Sequence, residues 1–188
     1  MHNQIHHLKN TLKTALSFTK NLFTVGAIIE TKPETVSEMC SKIDINKKIN
    51  VIEFGMGHGN MTKEILKTIS EDAILYSFEI NTDFCKHVEK HIKDDRLRVI
   101  NDSALNFKEY VSEKVDNFII SIPFTFLKDE EAIELVKSCF NQLQKEDTYS
   151  QVVYRENTLL KAIGDRPYEK KVVKALINEK IFHIKNNS

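Results

Sequence analysis

Apolar positions along this chain follow two rhythms, and the change between them falls near residue 49. Over residues 3–23, Ile5, Leu8, Leu12, Ala15, Leu16, Leu22 and Phe23 recur at the helical period, with Lys9, Lys13 and Lys20 along one flank. That spacing predicts an amphipathic helix. Thr31 and Glu34 read as a capping box for a second helix, whose buried stripe is Val36, Met39, Cys40 and Ile43. From Ile49 onward short apolar runs alternate with helical ones. Strands are expected at 49–54, 73–78, 97–100, 116–121, 149–154 and 180–185. Helices are expected at 61–69, at 82–93, through Ile133, Val136, Phe140 and Leu143, and around 168–177. Strands apolar on both faces, separated by helices, imply an α/β fold. Its mostly parallel sheet has six or seven strands, with helices on both faces. The candidate domain boundary comes earlier, between an N-terminal amphipathic helix and lid segment, 1–30, and the domain that follows, 31–188.

Composition alters this picture little, and the distribution of charge alters it more. The 188 residues are 41% hydrophobic and 29% charged, with 27 basic residues against 27 acidic ones, so bulk charge names no partner. No acid precedes Glu30, however, while Lys9, Lys13, Lys20, His2, His6 and His7 all fall in that stretch. A basic segment on a neutral protein suits an anionic surface. Cys40, Cys85 and Cys139 stand far apart within apolar helical patterns and read as buried thiols of a reducing compartment. No Cys/His cluster suggests a metal. No run reaches the roughly 18 residues of a membrane span, and Val25–Ile29 is short for a secretory core. A cytoplasmic protein is expected.

The strongest motif is Val51-Ile52-Glu53-Phe54-Gly55-Met56-Gly57-His58-Gly59-Asn60-Met61-Thr62, where the first clear strand meets a helix. Glycines there allow a tight turn and close approach to a ligand at the carboxyl edge of the sheet. A dinucleotide fingerprint needs its third glycine where Asn60 stands, and no P-loop GK[ST] occurs. The spacing is GxGxG, with Glu53 two residues ahead. Glu79 ends the second strand about 20 residues later, placed to accept from ribose hydroxyls. Asp102 follows the third strand, in Asn101-Asp102-Ser103-Ala104, and could accept from an adenine amino group. Three acids at three successive strand ends beside one glycine turn point to S-adenosylmethionine. Its ammonium is a partner for Glu53, and it has no pyrophosphate to cradle. Gly55, Gly57, Gly59, Glu53, Glu79, Ile80, Asp102 and Ser103 are the expected cofactor residues.

These residues resemble class I (Rossmann-like) methyltransferases. The first block is similar to both the rRNA adenine dimethyltransferases and the bacterial phospholipid N-methyltransferases. Phe23-Thr24-Val25-Gly26-Ala27-Ile28, Ser121-Ile122-Pro123-Phe124 and Gln151-Val152-Val153-Tyr154 resemble segments of the phospholipid enzymes, so the likeness spans about 20–155. Adenine N6-methyltransferases carry Asn or Asp where Ser121 stands, to accept hydrogens from a poorly nucleophilic amine, and an aromatic at Phe124 to stack on the base. The resemblance therefore implies methyl transfer to an aliphatic amine, such as a phosphatidylethanolamine headgroup. An RNA adenine, or a non-catalytic cofactor-binding role, is the alternative, and a nucleic-acid partner is not expected. Ser121 and Tyr154 are candidate catalytic residues. Tyr154 and Glu30 are candidate bases, and Phe23 and Phe124 are candidate substrate contacts, although Phe124 and Phe126 could equally pack under a loop. Leu8, Lys9, Leu12, Lys13, Leu16 and Lys20 would lie on the anionic inner face of the membrane or close over the cofactor.

Overall fold

The computed structural model describes residues 31–45, 49–174 and 178–187. The expectations for Leu8, Lys9, Leu12, Lys13, Leu16, Lys20, Phe23 and Glu30 lie outside them. The described chain runs α1 (Pro33–Cys40), β1 (Asn50–Phe54), α2 (Asn60–Thr68), β2 (Ile74–Phe78), α3 (Thr82–His91) and β3 (Leu97–Ile100). A 3-10 turn (Ala104–Glu109), β4 (Asn117–Ile120), a second 3-10 turn (Phe124–Phe126) and α4 (Asp129–Phe140) follow. The remaining elements are β5 (Thr148–Val153), α5 (Asn157–Ile163), β6 (Glu169–Val173) and β7 (Glu179–Lys185). The strands form one seven-stranded sheet in the order β3-β2-β1-β4-β5-β7-β6. The first five are parallel, and β7 runs antiparallel to both β5 and β6. Strand order reverses between β1 and β4, which opens a crevice at their carboxyl ends.

Alternation along the central strands sorts side chains between two cores. Val51, Leu75 and Ile119 join Val36, Met39, Cys40 and Ile43 of the α1 segment and Met61, Ile65 and Leu66 of α2. Ile52, Phe54, Phe118, Ile120 and Tyr149 face the other side, under Leu135, Val136 and Phe140 of α4 and Leu159 and Ile163 of α5. The helical stripe read from Val36 to Ile43 is therefore buried as its period requires. Because α1 begins at Pro33, a favoured first helical residue, Thr31 and Glu34 are one position out of register for a capping box. Thr35 is instead buried and donates its hydroxyl to Glu179.

The expected helix around 168–177 is a strand over its first half, and the helix before it was missed. Residues 169–173 pair with Glu179–His183 as an edge strand. Val172 and Val173 are β-branched, and the adjacent Lys170 and Lys171 suit an exposed edge. The helix is Asn157–Ile163, seven residues that bury Leu159, Ala162 and Ile163 and end at Gly164 with φ 59°. The uncertain seventh strand is thus β6. The three thiols are buried, and burial pushes Cys40 up to about 12 and Cys85 to about 11. Among the described residues no helix is long and apolar enough to cross a membrane.

Candidate active site

The glycine turn leaves β1 at the crevice. Gly55 (φ 86°) donates its N–H to the Phe78 carbonyl at 2.9 Å, locking the turn to β2. A Cβ on Gly55 would meet Ile122 Cγ2 at 2.7 Å, and one on Gly59 (φ 85°) would meet Ile92 and Val88 of the α3 segment. Both positions need glycine for conformation and for space. Among the described residues a Cβ at Gly57 would meet nothing within 4 Å, so they leave the middle of the turn open.

Glu53 shares its sheet face with Val51, under α2. It is fully buried, and its Oε2 accepts from Thr62 of α2 at 2.8 Å and from Ser77 of β2 at 2.6 Å. Its Oε1 is buried with no partner among the described residues. Burial pushes this carboxyl up to about 7, against the downward pull of the Ser77 and Thr62 hydrogen bonds. Glu53 is thus both the tie between β1, β2 and α2 and an unsatisfied acceptor beside the turn. An ammonium, directly or through water, is the kind of group that would satisfy it.

Glu79, just past β2, accepts from the Asn81 N–H at 2.9 Å and from the Gly57 N–H at 3.2 Å. Burial raises its carboxyl, and these backbone donors oppose the shift. They hold the side chain over the turn, with the Ile80 N–H as a third backbone donor. Ile80, 51% exposed, offers an apolar surface beside it. Asp102 is more heavily engaged. Its Oδ1 accepts from Ser103 N–H at 2.6 Å and Asn106 at 3.0 Å, and its Oδ2 accepts from the Tyr110 hydroxyl at 2.6 Å. Burial would raise its titration, but the three donors outweigh it and hold the carboxyl below the usual range. Ser103 itself caps the first 3-10 turn, accepting from the Leu105 N–H at 3.2 Å. These acids, an orphaned acceptor and an open glycine turn fit an adenosine carrying an amino-acid tail.

On the other side of the crevice, Ser121 follows β4. Its hydroxyl donates to the Gly55 carbonyl at 2.7 Å and lies 3.2 Å from the Phe54 carbonyl, so it is turned toward the glycine turn. Pro123 starts a 3-10 turn that folds Phe124 into the α4-side core, where it is 9% exposed. Phe124 therefore packs beneath the loop, and Phe126, 47% exposed, is the accessible ring of that segment. Tyr154 sits half-buried just beyond β5, and burial, with Glu179 nearby, raises its phenol above the ordinary range. A phenol so shifted is protonated at neutral pH and is not a base there. His58 is exposed and rests against Phe84, ring centroids 4.5 Å apart. Sequence reasoning missed Ser77, Asn106 and Tyr110. Ser77 was detectable as the one polar residue within an apolar strand. Tyr110 carried no periodic signal.

The ribosomal RNA adenine dimethylase family model matches residues 19–182. A curated relative, the ribosomal RNA small subunit methyltransferase A of Mycoplasmopsis synoviae, is 27% identical over 106 residues. That match covers 52% of this chain and 39% of the relative, so the chain spans about two fifths of that protein's length. Among solved structures, an rRNA methylase from Streptococcus thermophilus superposes with a TM-score of 0.65 at 16% identity, covering 85% of this chain and 99% of that one. The N-methyltransferase NodS of Bradyrhizobium japonicum, in complex with S-adenosyl-L-homocysteine, gives 0.68 at 10% identity, covering 82% and 87%. At these identities the structural likeness is one of fold. On the model match across most of its length, the chain belongs to the ribosomal RNA adenine dimethylase family, S-adenosylmethionine-dependent methyltransferases of class I fold.

Proposed function

We propose that this chain transfers methyl groups from S-adenosylmethionine to the exocyclic amino group of an adenine in RNA. The observation that carries this reading is the family match over residues 19–182, which runs through the cofactor turn and the segment after β4. The small-subunit rRNA methyltransferase among the relatives supports it. The order Ser121-Ile122-Pro123-Phe124 keeps the proline and aromatic of the adenine motif and sits against Gly55. An aminopurine is uncharged at neutral pH, so it needs no general base before attack.

In this reading Glu79 holds the ribose hydroxyls, Asp102 the adenine amino group and Glu53 the ammonium, with Ile80 beneath the purine. The bound cofactor supplies an electrophilic sulfonium methyl. The chain's own work is alignment of the acceptor nitrogen and exclusion of water at the mouth of the crevice, beside the Gly55–Ser121 contact. Tyr154 acts as a neutral hydrogen-bond donor near that mouth.

A second reading, methylation of an amino-lipid headgroup, is favoured by one specific feature. Ser121 spends its hydroxyl proton on Gly55, and Phe124 is buried, so the amide-and-ring clamp used on adenine is absent at these two positions. An aliphatic amine, nucleophilic once deprotonated, does not need that clamp. This reading carries with it the peripheral membrane role of residues 1–30 and a cytoplasmic address at the inner membrane face. The deciding experiment incubates the full chain and labelled S-adenosylmethionine with total RNA and, separately, with a total lipid extract. Label in N6-methylated adenine is expected. Label in lipid alone would replace the first reading with the second.

A further inference from the structure

Four rings run along one side of α3, with His58 of the glycine turn seated between Phe84 and His87. His58 lies between Gly57 and Gly59, its ring 4.5 Å from Phe84 and 5.5 Å from His87, both edge-on. His87 and His91 follow with centroids 4.2 Å apart and planes tilted by 33°. Phe84, His87 and His91 share one helical face by their three- and four-residue spacing, and Cys85 and Val88 are buried on the adjoining flank. The His91 ring is held by the His87 carbonyl at 2.8 Å, which fixes the last step of the row. Only His87 and His91 lie at a shallow tilt, whereas His58 meets both of its neighbours edge-on. Among the described residues no group of His, Cys, Asp and Glu could hold a metal ion.

The lysines outnumber the acids around the row, with Asp83 one helical turn before His87 as the acid on its flank. Partial desolvation, then His91, His58, Lys63 and Lys90, hold the His87 imidazole below its ordinary titration. At neutral pH it is an uncharged flat ring flanked by ammonium groups. Glu89 falls on the opposite side of the helix by its spacing. Flat rings interleaved with lysines are the composition that takes unpaired bases by stacking and their phosphates by charge. A lipid headgroup has no planar group to use the rings.

We infer that the row Phe84–His58–His87–His91 is a stacking platform for a single-stranded stretch of the RNA substrate, passing the cofactor turn at His58 and leading away along α3. The inference rests on the RNA reading above. It adds a path for the strand that the cofactor site does not specify.

The test is binding of a fluorescently labelled single-stranded oligoribonucleotide of about 12 nucleotides, within the range such grooves engage. Anisotropy is read for the full chain, for His87→Ala with His91→Ala, and for His87→Phe with His91→Phe. S-adenosylhomocysteine binding and the far-ultraviolet spectrum are measured alongside. The alanine pair should weaken RNA binding at least about tenfold, the scale of losing one to two stacked bases. The phenylalanine pair should restore it to within a few-fold, and cofactor binding should be equal in all three. Unchanged RNA binding by the alanine pair, in a chain that does methylate RNA, would overturn the platform and leave the acceptor assignment standing. Loss without rescue by phenylalanine would also overturn it, since the rings would then act by hydrogen bonding. If the unmodified chain neither binds nor methylates RNA, the acceptor assignment falls and the platform falls with it.

Discussion

Glu53 is an acid buried where a charge is expensive, with one oxygen bonded twice and the other bonded to nothing among the described residues. Its titration near 7 has a definite consequence. Well below pH 4 both folded and unfolded chains hold the proton, and Glu53 contributes no pH dependence. Between about pH 4 and 7 the unfolded chain releases it while the folded chain keeps it, so stability falls as pH rises. Above 7 the penalty is complete, on the order of 3 kcal/mol. Urea denaturation across this range should show the decline, and Glu53→Gln should flatten it. A cofactor ammonium favours the charged carboxylate, so affinity for S-adenosylhomocysteine should rise from pH 6 to 8 in the unmodified chain, by calorimetry. At Glu79 the expectation is simpler. Glu79→Ala should weaken that affinity by about 1.5–3 kcal/mol, the worth of hydrogen bonds to a charged group, and an unaltered Kd would remove Glu79 from the ribose site. These acids and the glycines were legible because strand ends and turn spacing mark them. Thr62, Ser77 and Tyr110 were assigned no role, because their importance comes from which strands neighbour one another, and only the β1–β2 register and the fold around Asp102 reveal it.

At the scale of elements, the helix behind the glycine turn is finished by a residue far away in sequence. The Arg96 guanidinium donates to the carbonyls of Leu66 at 2.7 Å, Ile69 at 2.9 Å and Ser70 at 3.2 Å, while Asp94 pins it at 2.7 Å. Arg96 thus satisfies the free carbonyls that end α2 and ties that end to the start of β3. Arg96→Ala should destabilise the chain by about 2–3 kcal/mol in urea denaturation. Arg96→Lys should recover less than half, because an ammonium cannot span three carbonyls and a carboxylate. An Arg96→Ala chain as stable as the original would refute the clamp. Central elements were readable in the sequence because their strands are buried on both sides and read as unbroken apolar runs. The edge was not: Glu169–Val173 is exposed along nearly its whole length, so no apolar period announces it. The α5 helix was lost for a related reason, since seven residues give barely two turns of period.

On the scale of the whole molecule, fold and cofactor were legible, because both are written in strand order and turn chemistry. The acceptor was not, because the sequence puts Ser121 where an adenine enzyme keeps an amide, while the family match favours RNA. The amphipathic pattern of residues 1–30 separates the two acceptors. If the lipid reading holds, deleting residues 1–20 should abolish sedimentation with anionic vesicles, and salt should weaken binding of the full chain. If the RNA reading holds, sedimentation should be negligible in both. In both proposed readings, the hydroxyl of Ser121, which donates to the Gly55 carbonyl, would join the acceptor's side of the crevice to the cofactor's. Two binding events that press on the ends of one hydrogen bond share a coupling free energy, and the sharing is reciprocal. Acceptor should therefore alter the affinity for S-adenosylhomocysteine by the same factor as S-adenosylhomocysteine alters that for acceptor. In Ser121→Ala both factors should approach one, leaving an enzyme that binds its two partners in either order and with indifference.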